Sequence, residues 1–141
     1  MVRKVLALGA AAAIAVGFAA CGSDDGGGDT ATDTTTISQD EFVTQANQIC
    51  AQGNKDLQGG PQNGDIESFV TDTFIPNIQG QIDAIRALGA PEGQEEQITQ
   101  FLDDAENDLD SLKSDPSSLS ENSFKKVNQE AAALGLDECA G

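Results

Sequence analysis

The sequence predicts an all-α fold, a small antiparallel four-helix bundle. Two observations lead to this prediction. In four segments after residue 37, apolar residues recur at intervals of three and four, the spacing of one face of an α-helix. Short stretches containing glycine or proline separate these segments, and none of the segments shows a strand-like alternation of apolar and polar residues. Because short connections join antiparallel neighbours, an up-and-down bundle is expected.

The first helix is expected to begin with a capping box. Ser38 is the predicted N-cap, Glu41 follows three residues later, and Ile37 with Phe42 would form the hydrophobic staple. The run stops at residues 59–61, Gly-Gly-Pro. Its predicted inward face consists of Phe42, Ala46, Ile49, Cys50, Gly53 and Leu57.

The second helix is expected to start from Asp65 as its cap and to pass through Pro76. Proline removes a backbone donor and crowds the carbonyl group of Asp72. Since the apolar period continues on both sides of Pro76, we predict one kinked helix rather than two. Gly89 and Pro91 mark its end. Its apolar positions are Ile66, Phe69, Val70, Phe74, Ile78, Ile82, Ile85 and Leu88.

The third helix has an acidic entry, where Glu92, Glu95 and Glu96 complement the helix dipole. It is expected to end at residues 114–116, Ser-Asp-Pro. Its predicted inward face consists of Ile98, Phe101, Leu102, Ala105, Leu109 and Leu112.

The fourth helix is expected to begin at about Ser117 or Ser120. It should end with Gly135 in the C′ position and with Leu136 folded back over the last turn. Its predicted inward face consists of Phe124, Val127, Ala131 and Leu134.

The composition is strongly acidic. The chain of 141 residues has 24 Asp and Glu residues against 7 Lys and Arg, a formal charge of −17. Such a charge opposes binding to phosphate backbones and to anionic lipid headgroups, because both require Lys and Arg. It suits basic partners or cation-rich surfaces. Nucleic acid is therefore not expected as a partner.

Residues 1–20 have the layout of an export signal. Arg3 and Lys4 precede an apolar run over residues 5–20, and the run ends in the small residues Ala19 and Ala20 directly before Cys21. With roughly 16 residues, mostly Ala and Gly, the run is shorter than the ~20 strongly apolar residues that span a bilayer. We therefore expect an anchored protein rather than a membrane-spanning one.

This segment resembles the signal and lipobox of bacterial lipoproteins, with Phe18 standing where that family prefers Leu, Val or Ile. In the family, the cysteine thiol takes a diacylglyceryl group, a peptidase cuts before the cysteine, and the new amino terminus can receive a further acyl chain such as palmitate. The resemblance implies that Cys21 is the lipidated first residue of the mature protein, on the outer face of the cytoplasmic membrane. Dual acylation would make this anchor stable.

After removal of the signal, 5 basic and 24 acidic residues would remain, a formal charge of −19. Residues 22–36 contain no large apolar side chain, so they are expected to form a flexible tether with a typical reach of about 20 Å. The predicted organisation is a signal peptide at 1–20, the lipidated Cys21 with the tether at 21–36, and a helical domain at 37–141.

With Cys21 assigned to the lipid, Cys50 and Cys139 remain as an even pair in an exported, oxidising setting. We predict a disulfide between them, worth roughly 4–5 kcal/mol for a loop near 90 residues. Two buried free thiols are the alternative. No metal site and no cofactor are expected, since the chain has no histidine and two sulfurs cannot fill a zinc shell.

We expect no enzymatic activity, because the absence of histidine removes the usual general base and its nucleophile pairs. The densest acidic cluster is expected to be a solvated outer face of the third helix. A calcium loop starting at Asp104 would need a Gly at its sixth position, where Leu109 stands. Arg86 is expected to pair with Asp83, one turn back on its helix, and the alternative is that its guanidinium group forks onto a carboxylate or a phosphate. The cluster comprises Asp103, Asp104, Glu106, Asp108 and Asp110.

Ser123 and Lys126 match the S-x-x-K motif of penicillin-recognising enzymes. That chemistry also needs S-D-N and K-T-G elements, and neither occurs in this sequence. We therefore interpret both residues as polar positions on the fourth helix.

The later part of the chain is similar to the short two-cysteine helical domains of actinobacterial lipoproteins, through the surroundings of Cys50 and of residues 134–139. This resemblance implies a location and an architecture, and no activity. The expected function is a non-enzymatic interaction module, monomeric, for a basic envelope protein or a cell-wall partner. The alternative is a binder of a small molecule or a cation, in a crevice near Pro76 or on the acidic faces.

Overall fold

The computed structural model describes residues 36–61 and 64–141, and every regular element within them is helical. The four helices are α1 (Gln39–Leu57), α2 (residues 66–87), α3 (Glu95–Ser114) and α4 (Lys125–Ala133). Two 3-10 turns, Pro116–Ser118 and Asp137–Cys139, accompany α4. The all-α prediction is confirmed for this part of the chain.

The predicted signal peptide, Cys21 and the tether up to residue 35 lie outside the described residues. Within the residues that the structure describes, no helix combines the length and the apolar character required to cross a membrane.

The start of α1 is as predicted. The Ser38 side chain accepts a hydrogen bond from the backbone N–H of Glu41 over 3.3 Å, which satisfies one of the unpaired donors of the first turn. The Glu41 carboxylate accepts from the Gln45 amide rather than reaching back to the cap. Ile37 packs against the core in which Phe42 is fully buried.

Helix α2 passes Pro76 without a break, through a local change of helix type. It comprises an α-helical first turn, Ile66–Phe69, a π-helical turn, Val70–Phe74, and an α-helical part, Ile75–Ala87. The N–H of Ile75 donates to the carbonyl of Val70, five residues back. The prediction of one helix is confirmed. The π turn that precedes Pro76 was not predicted, because the spacing of apolar residues does not reveal a π turn.

The N-cap prediction for α2 is also confirmed. The Asp65 carboxylate accepts hydrogen bonds from the backbone N–H and the hydroxyl of Ser68, over 3.0 and 2.8 Å. Ile66, one of the apolar positions of the predicted second helix, lies outside the core, since its side chain is 56% exposed. It lies in the first turn, in which no residue is buried, and the core begins one turn later at Val70.

The predicted start of the fourth helix at Ser117 or Ser120 is wrong, because α4 begins at Lys125. Local hydrogen bonds hold the preceding residues in other conformations. The Asp115 carboxylate accepts from the N–H and the hydroxyl of Ser117, which fixes a 3-10 turn. Ser120 donates its N–H to the Ser123 hydroxyl over 2.9 Å.

The end of α4 follows the prediction. Gly135 adopts a positive φ of 78°, and its N–H donates to the carbonyl of Ala132. The N–H of Leu136 donates to the carbonyl of Ala131 over 2.9 Å, which completes a Schellman motif. The Leu136 side chain is fully buried, so the chain turns back towards the core after this residue.

One hydrophobic core joins all four helices. Helix α1 packs on α2, α2 on α3 and α3 on α4, and the turn at Asp137–Cys139 contacts both α1 and α4. All six positions predicted for the inward face of α3 are buried. The main core cluster comprises Phe42, Ala46, Cys50, Ile82, Ile85, Ile98, Phe101, Leu102, Ala105, Leu109, Val127, Ala131 and Leu136.

Helices α1 and α2 approach closely at Gly53. The amide of Asn77 donates to the Gly53 carbonyl over 3.3 Å, and the Gln81 amide donates to the Asn77 side chain over 2.6 Å. A Cβ atom at position 53 would overlap with the Gln81 side chain. The absence of a side chain at Gly53 is therefore what admits this pair of amides between the helices.

Candidate functional site

Residues 135–139, termed the closing segment, return from the end of α4 to α1. Asn47 on α1 holds this segment at two points: its amide donates to the Gly135 carbonyl, and its side-chain oxygen accepts the N–H of Glu138, both over 3.0 Å. Asn54, two turns further along α1, donates to the Glu138 carbonyl over 2.7 Å. Side chains of α1 therefore satisfy backbone hydrogen-bonding groups of the closing segment.

Cys50 lies between these two asparagines on the same face of α1. Its Sγ atom is 2.02 Å from that of Cys139, with the Cα atoms 5.1 Å apart. The two cysteines that the sequence predicts to pair therefore lie at disulfide-bonding distance. Cys50 is buried, and Cys139 is half-buried at the edge of the core.

Beside this cysteine pair lies a cavity of about 220 Å³, partly open to solvent. Helix α1 contributes Cys50, Asn54 and Leu57 to its lining, and α2 contributes Phe74, Ile78, Gln81, Ile82 and Ile85. The remaining lining residues are Phe101, Leu102 and Ala105 of α3, Phe124, Val127 and Asn128 at the start of α4, and Cys139 with Gly141. All four helices and the end of the closing segment therefore meet here.

Two aromatic rings form one wall of the cavity. The ring centroids of Phe74 and Phe124 are 5.9 Å apart, with the planes inclined at 54°. Such tilted arrangements are favourable for aromatic pairs. Phe74 is the last residue of the π turn, so the change of helix type before Pro76 sets where this ring lies. The π turn therefore shapes the cavity as well as accommodating the proline.

The cavity lining has no charged side chain. Its polar side chains are the amides of Asn54, Gln81 and Asn128, and no acidic or basic side chain is among the lining residues. Asn54 donates to the closing segment and Gln81 donates to Asn77. The side-chain amide of Asn128 has no hydrogen-bond partner among the described residues, and it lies within the lining. A neutral site of this kind is notable in so acidic a chain.

A larger depression, of about 480 Å³, lies between the end of α1 and the start of α2. Asp56, Asp65 and Asp72 border it, together with Phe69. The Asp65 carboxylate is already bonded to Ser68 and the Asp56 carboxylate to Gln52. Within the described residues, no group of three or more acidic, cysteine or histidine side chains is arranged to hold a metal ion.

The acidic cluster of the third helix lies on its outer side, as expected, and much of it is ion-paired across helices. Arg86 of α2 reaches Glu106 over 2.9 Å and Asp103 over 3.5 Å. The predicted pairing of Arg86 with Asp83 is wrong, because Asp83 accepts from the Gln79 amide instead. A partner on a neighbouring helix cannot be found from spacing within one helix.

On the other side of α3, Lys126 of α4 reaches Asp104 over 2.6 Å and Glu130 over 3.5 Å. Lys113 at the end of α3 bonds Asp110 and also donates to Gln79 of α2. Basic side chains thus connect α3 to both of its neighbours. Exposed ion pairs of this kind contribute only ~0.2–1 kcal/mol each to the free energy of unfolding, so they are a minor part of the stability of the helix packing.

The Lys126 pair changes the titration of its neighbours. The hydrogen bond from Lys126 lowers the pKa of Asp104 below its ordinary value of 3.8, and the same bond raises the pKa of Lys126. One turn away, burial raises the pKa of Asp108, and the negative charge of Asp104 adds to this rise. Two acids on one helix face therefore have opposite shifts.

The S-x-x-K residues do not form a nucleophile pair in the structure. The Ser123 hydroxyl accepts the N–H of Ser120 and lies 3.4 Å from the carbonyl of Ser118, to which it donates. The Lys126 ammonium group is bonded to Asp104 over 2.6 Å. Both side chains therefore serve in local structure and in a helix–helix ion pair.

The sequence anticipated part of this site. A crevice near Pro76 was one expected location, and Phe74 and Ile78, two residues to either side of Pro76, both line the cavity. The asparagines that hold the closing segment were missed. Their spacing was a usable signal, since Asn47 and Asn54 lie three residues before and four residues after Cys50, on the same helix face.

Comparison with known protein families, with curated proteins and with solved structures finds no match for this chain.

Asn47 is expected to be a major stabilising residue of the closing segment. The substitution Asn47→Ala removes two hydrogen bonds to the backbone of the closing segment, each worth ~0.5–1.5 kcal/mol, so the free energy of unfolding should fall by ~1–3 kcal/mol. Urea denaturation measures this loss. Gln48→Ala on the exposed face of the same helix is the control and should change stability little; equal losses in the two variants would contradict the assignment.

Asp104→Asn and Asp108→Asn should change stability in opposite directions at pH 7. The pKa of Asp104 is lowered in the folded state, so its stabilising contribution is present above the unfolded pKa and is lost as the pH falls. The pKa of Asp108 is raised, so its ionised form opposes folding and Asp108→Asn should stabilise. Both differences should shrink below about pH 4, where the wild-type carboxyl groups become protonated.

Denaturation midpoints of these two variants at pH 7 and at pH 3 provide the measurement. Glu121→Gln, which removes one exposed acid outside the ion-pair network, controls for the change in net charge. A stability change of the same sign in both aspartate variants at pH 7 would show that general charge repulsion, rather than these local contacts, dominates.

Proposed function

We propose that this chain is a lipoprotein of the bacterial cell envelope whose helical domain is a non-enzymatic binding module. The basic start, the apolar run of residues 5–20 and the small residues before Cys21 support lipidation of Cys21 after export. The tether that follows would hold the domain close to the outer face of the cytoplasmic membrane. The paired positions of Cys50 and Cys139 suit such an oxidising location.

For the domain we propose an antiparallel up-and-down bundle of the four helices. Successive helices pack on each other, from α1 to α2, α2 to α3 and α3 to α4, and the connections between them are short. The closing segment then returns to α1, so the first and last parts of the domain are joined. Residues of all four helices line the cavity, which is consistent with such a bundle.

The observation that carries the binding function is the cavity beside the cysteine pair. Protein interiors are normally packed with few voids larger than a water molecule, whereas this one has about 220 Å³ of space lined mainly by apolar side chains. Concave apolar sites with a few polar groups are the usual form of small-molecule sites. The lining offers amides and no acid–base pair, which favours binding over catalysis.

A second candidate function is contact with a basic envelope protein or a cell-wall component through the acidic surface. This second function is supported by the charge of the chain after Cys21, where 24 acidic residues stand against 5 basic ones, and by the outward carboxylates of α3. Such a charge would favour association with a cationic partner at low ionic strength. The two functions use different faces, so one protein could carry both.

Lipidation is tested by metabolic labelling with a palmitate analogue in a bacterium that processes lipoproteins. The wild-type chain should take up the label and stay with the membrane after a high-salt wash, because an acyl anchor is apolar and is not released by salt. Cys21→Ser should lose both properties, whereas Cys50→Ser should keep the label. Label retained by Cys21→Ser would contradict the assignment of the lipid.

The binding function is tested by methyl NMR of the full chain carrying Cys21→Ser. Addition of a mixed library of small neutral and charged fragments should shift the methyl signals of Ile78, Ile82 and Ile85, which line the cavity. The methyl signal of Ile66, which is exposed and outside the lining, is the internal control. If no fragment of any class shifts the three cavity isoleucines selectively, the domain does not bind small molecules in this cavity.

A further inference from the structure

We propose that the cavity accepts a small uncharged molecule with an apolar body and one hydroxyl group, of about the size of a substituted benzene ring. This inference rests on the proposed function, since it presumes a binding module, and it names the class of ligand. Volume, lining chemistry and one amide without a partner each restrict that class.

The volume sets the size of the ligand. An apolar protein cavity of ~150 Å³ can hold benzene, whereas pockets for drug-sized ligands start at ~300 Å³. The present cavity, at about 220 Å³, lies between these two values. It therefore has room for one ring with a few additional non-hydrogen atoms and is smaller than the pockets of drug-sized ligands.

The lining sets the charge of the ligand. The side chains around the space include Ile78, Ile82, Phe74, Phe101 and Phe124, and no charged side chain is present to pair with an ion. Moving an ionised group into such surroundings without a partner carries a large desolvation cost. A carboxylate would also approach a domain whose surface is strongly negative. The ligand is therefore neutral.

The amide of Asn128 supplies the single polar contact. It lies in the lining at the start of α4, close to Phe124, and its side chain makes no hydrogen bond to another described residue. An amide can both donate and accept, so a hydroxyl group is a suitable partner for it. Asn54 and Gln81 each commit one amide N–H to a protein acceptor, whereas no hydrogen bond to another described residue engages the Asn128 amide, so we assign Asn128 as the residue that discriminates between a hydroxylated and a purely apolar ligand.

The test uses three probes that share a methylbenzene body: p-cresol, toluene and 4-methylbenzoate. For the full chain carrying Cys21→Ser, p-cresol should raise the melting temperature by about 7 °C at ten times its Kd, and toluene should bind more weakly. The charged probe should give no shift. The Kd values from titration of the Ile78 and Ile82 methyl signals should follow the same order.

Two substitutions locate the effect. Ala105→Leu adds side-chain volume within the lining and should weaken p-cresol binding at least tenfold, whereas Ala132→Leu on the exposed face of α4 should leave the Kd unchanged. Asn128→Leu should reduce the affinity for p-cresol to that for toluene. Asn107→Leu, an exposed position of α3, is the matched control for this change.

The proposal is overturned if 4-methylbenzoate binds as tightly as p-cresol, if neither neutral probe binds, or if Ala105→Leu leaves the affinity for p-cresol unchanged. The proposed binding function fails on a different result from the proposed ligand class. If fragments of another class shift the cavity isoleucines while these probes do not, the binding module stands and the ligand class is wrong; if no fragment shifts them, both fall.

Discussion

The return of the closing segment to α1 is the constraint on which the rest of the domain depends. Asn47 and Asn54 bind its backbone, and the Cys50 and Cys139 sulfur atoms lie at bonding distance between them. A disulfide closing a loop of this length removes unfolded-state entropy worth roughly 4–5 kcal/mol in the chain-entropy treatment. A small domain with few aromatic residues gains much from such a constraint. Since Cys50, Asn54 and Cys139 also line the cavity, the contact that stabilises the fold forms one of the cavity walls.

A second wall of the cavity depends on an irregularity of the α2 backbone. Pro76 has no N–H, and the π turn immediately before it ends at Phe74, whose ring meets that of Phe124. Single π turns within α-helices are rare and frequently occur at functional sites. At Gly53 the absence of a side chain admits the amides of Asn77 and Gln81 between α1 and α2. An aromatic pair thus joins α2 to the start of α4, and amide contacts join α1 to α2.

The sequence predicted the elements that are encoded locally. The buried face of α3 was predicted completely, because the apolar spacing continues without interruption along this helix of 20 residues and therefore defines a single face. The caps at Ser38, Asp65 and Gly135 were predicted because each depends on residues within four positions along the chain. The start of α4 was wrong because serine and aspartate hydrogen bonds compete with helix formation before Lys125. The partner of Arg86 and the cavity are tertiary features. A cavity is the space that side chains from four helices leave between them, and no local pattern reports it.

The central claim is that the space between α2, α4 and the closing segment is an accessible apolar site. A crystal structure of the protein under xenon pressure tests it most directly, because xenon enters dry apolar cavities without needing a specific hydrogen bond. The account predicts a xenon atom between Ile78, Ile82 and Phe124, with the four helices unmoved. A cavity filled by ordered water, or closed by repacked side chains with no xenon within it, would contradict the claim.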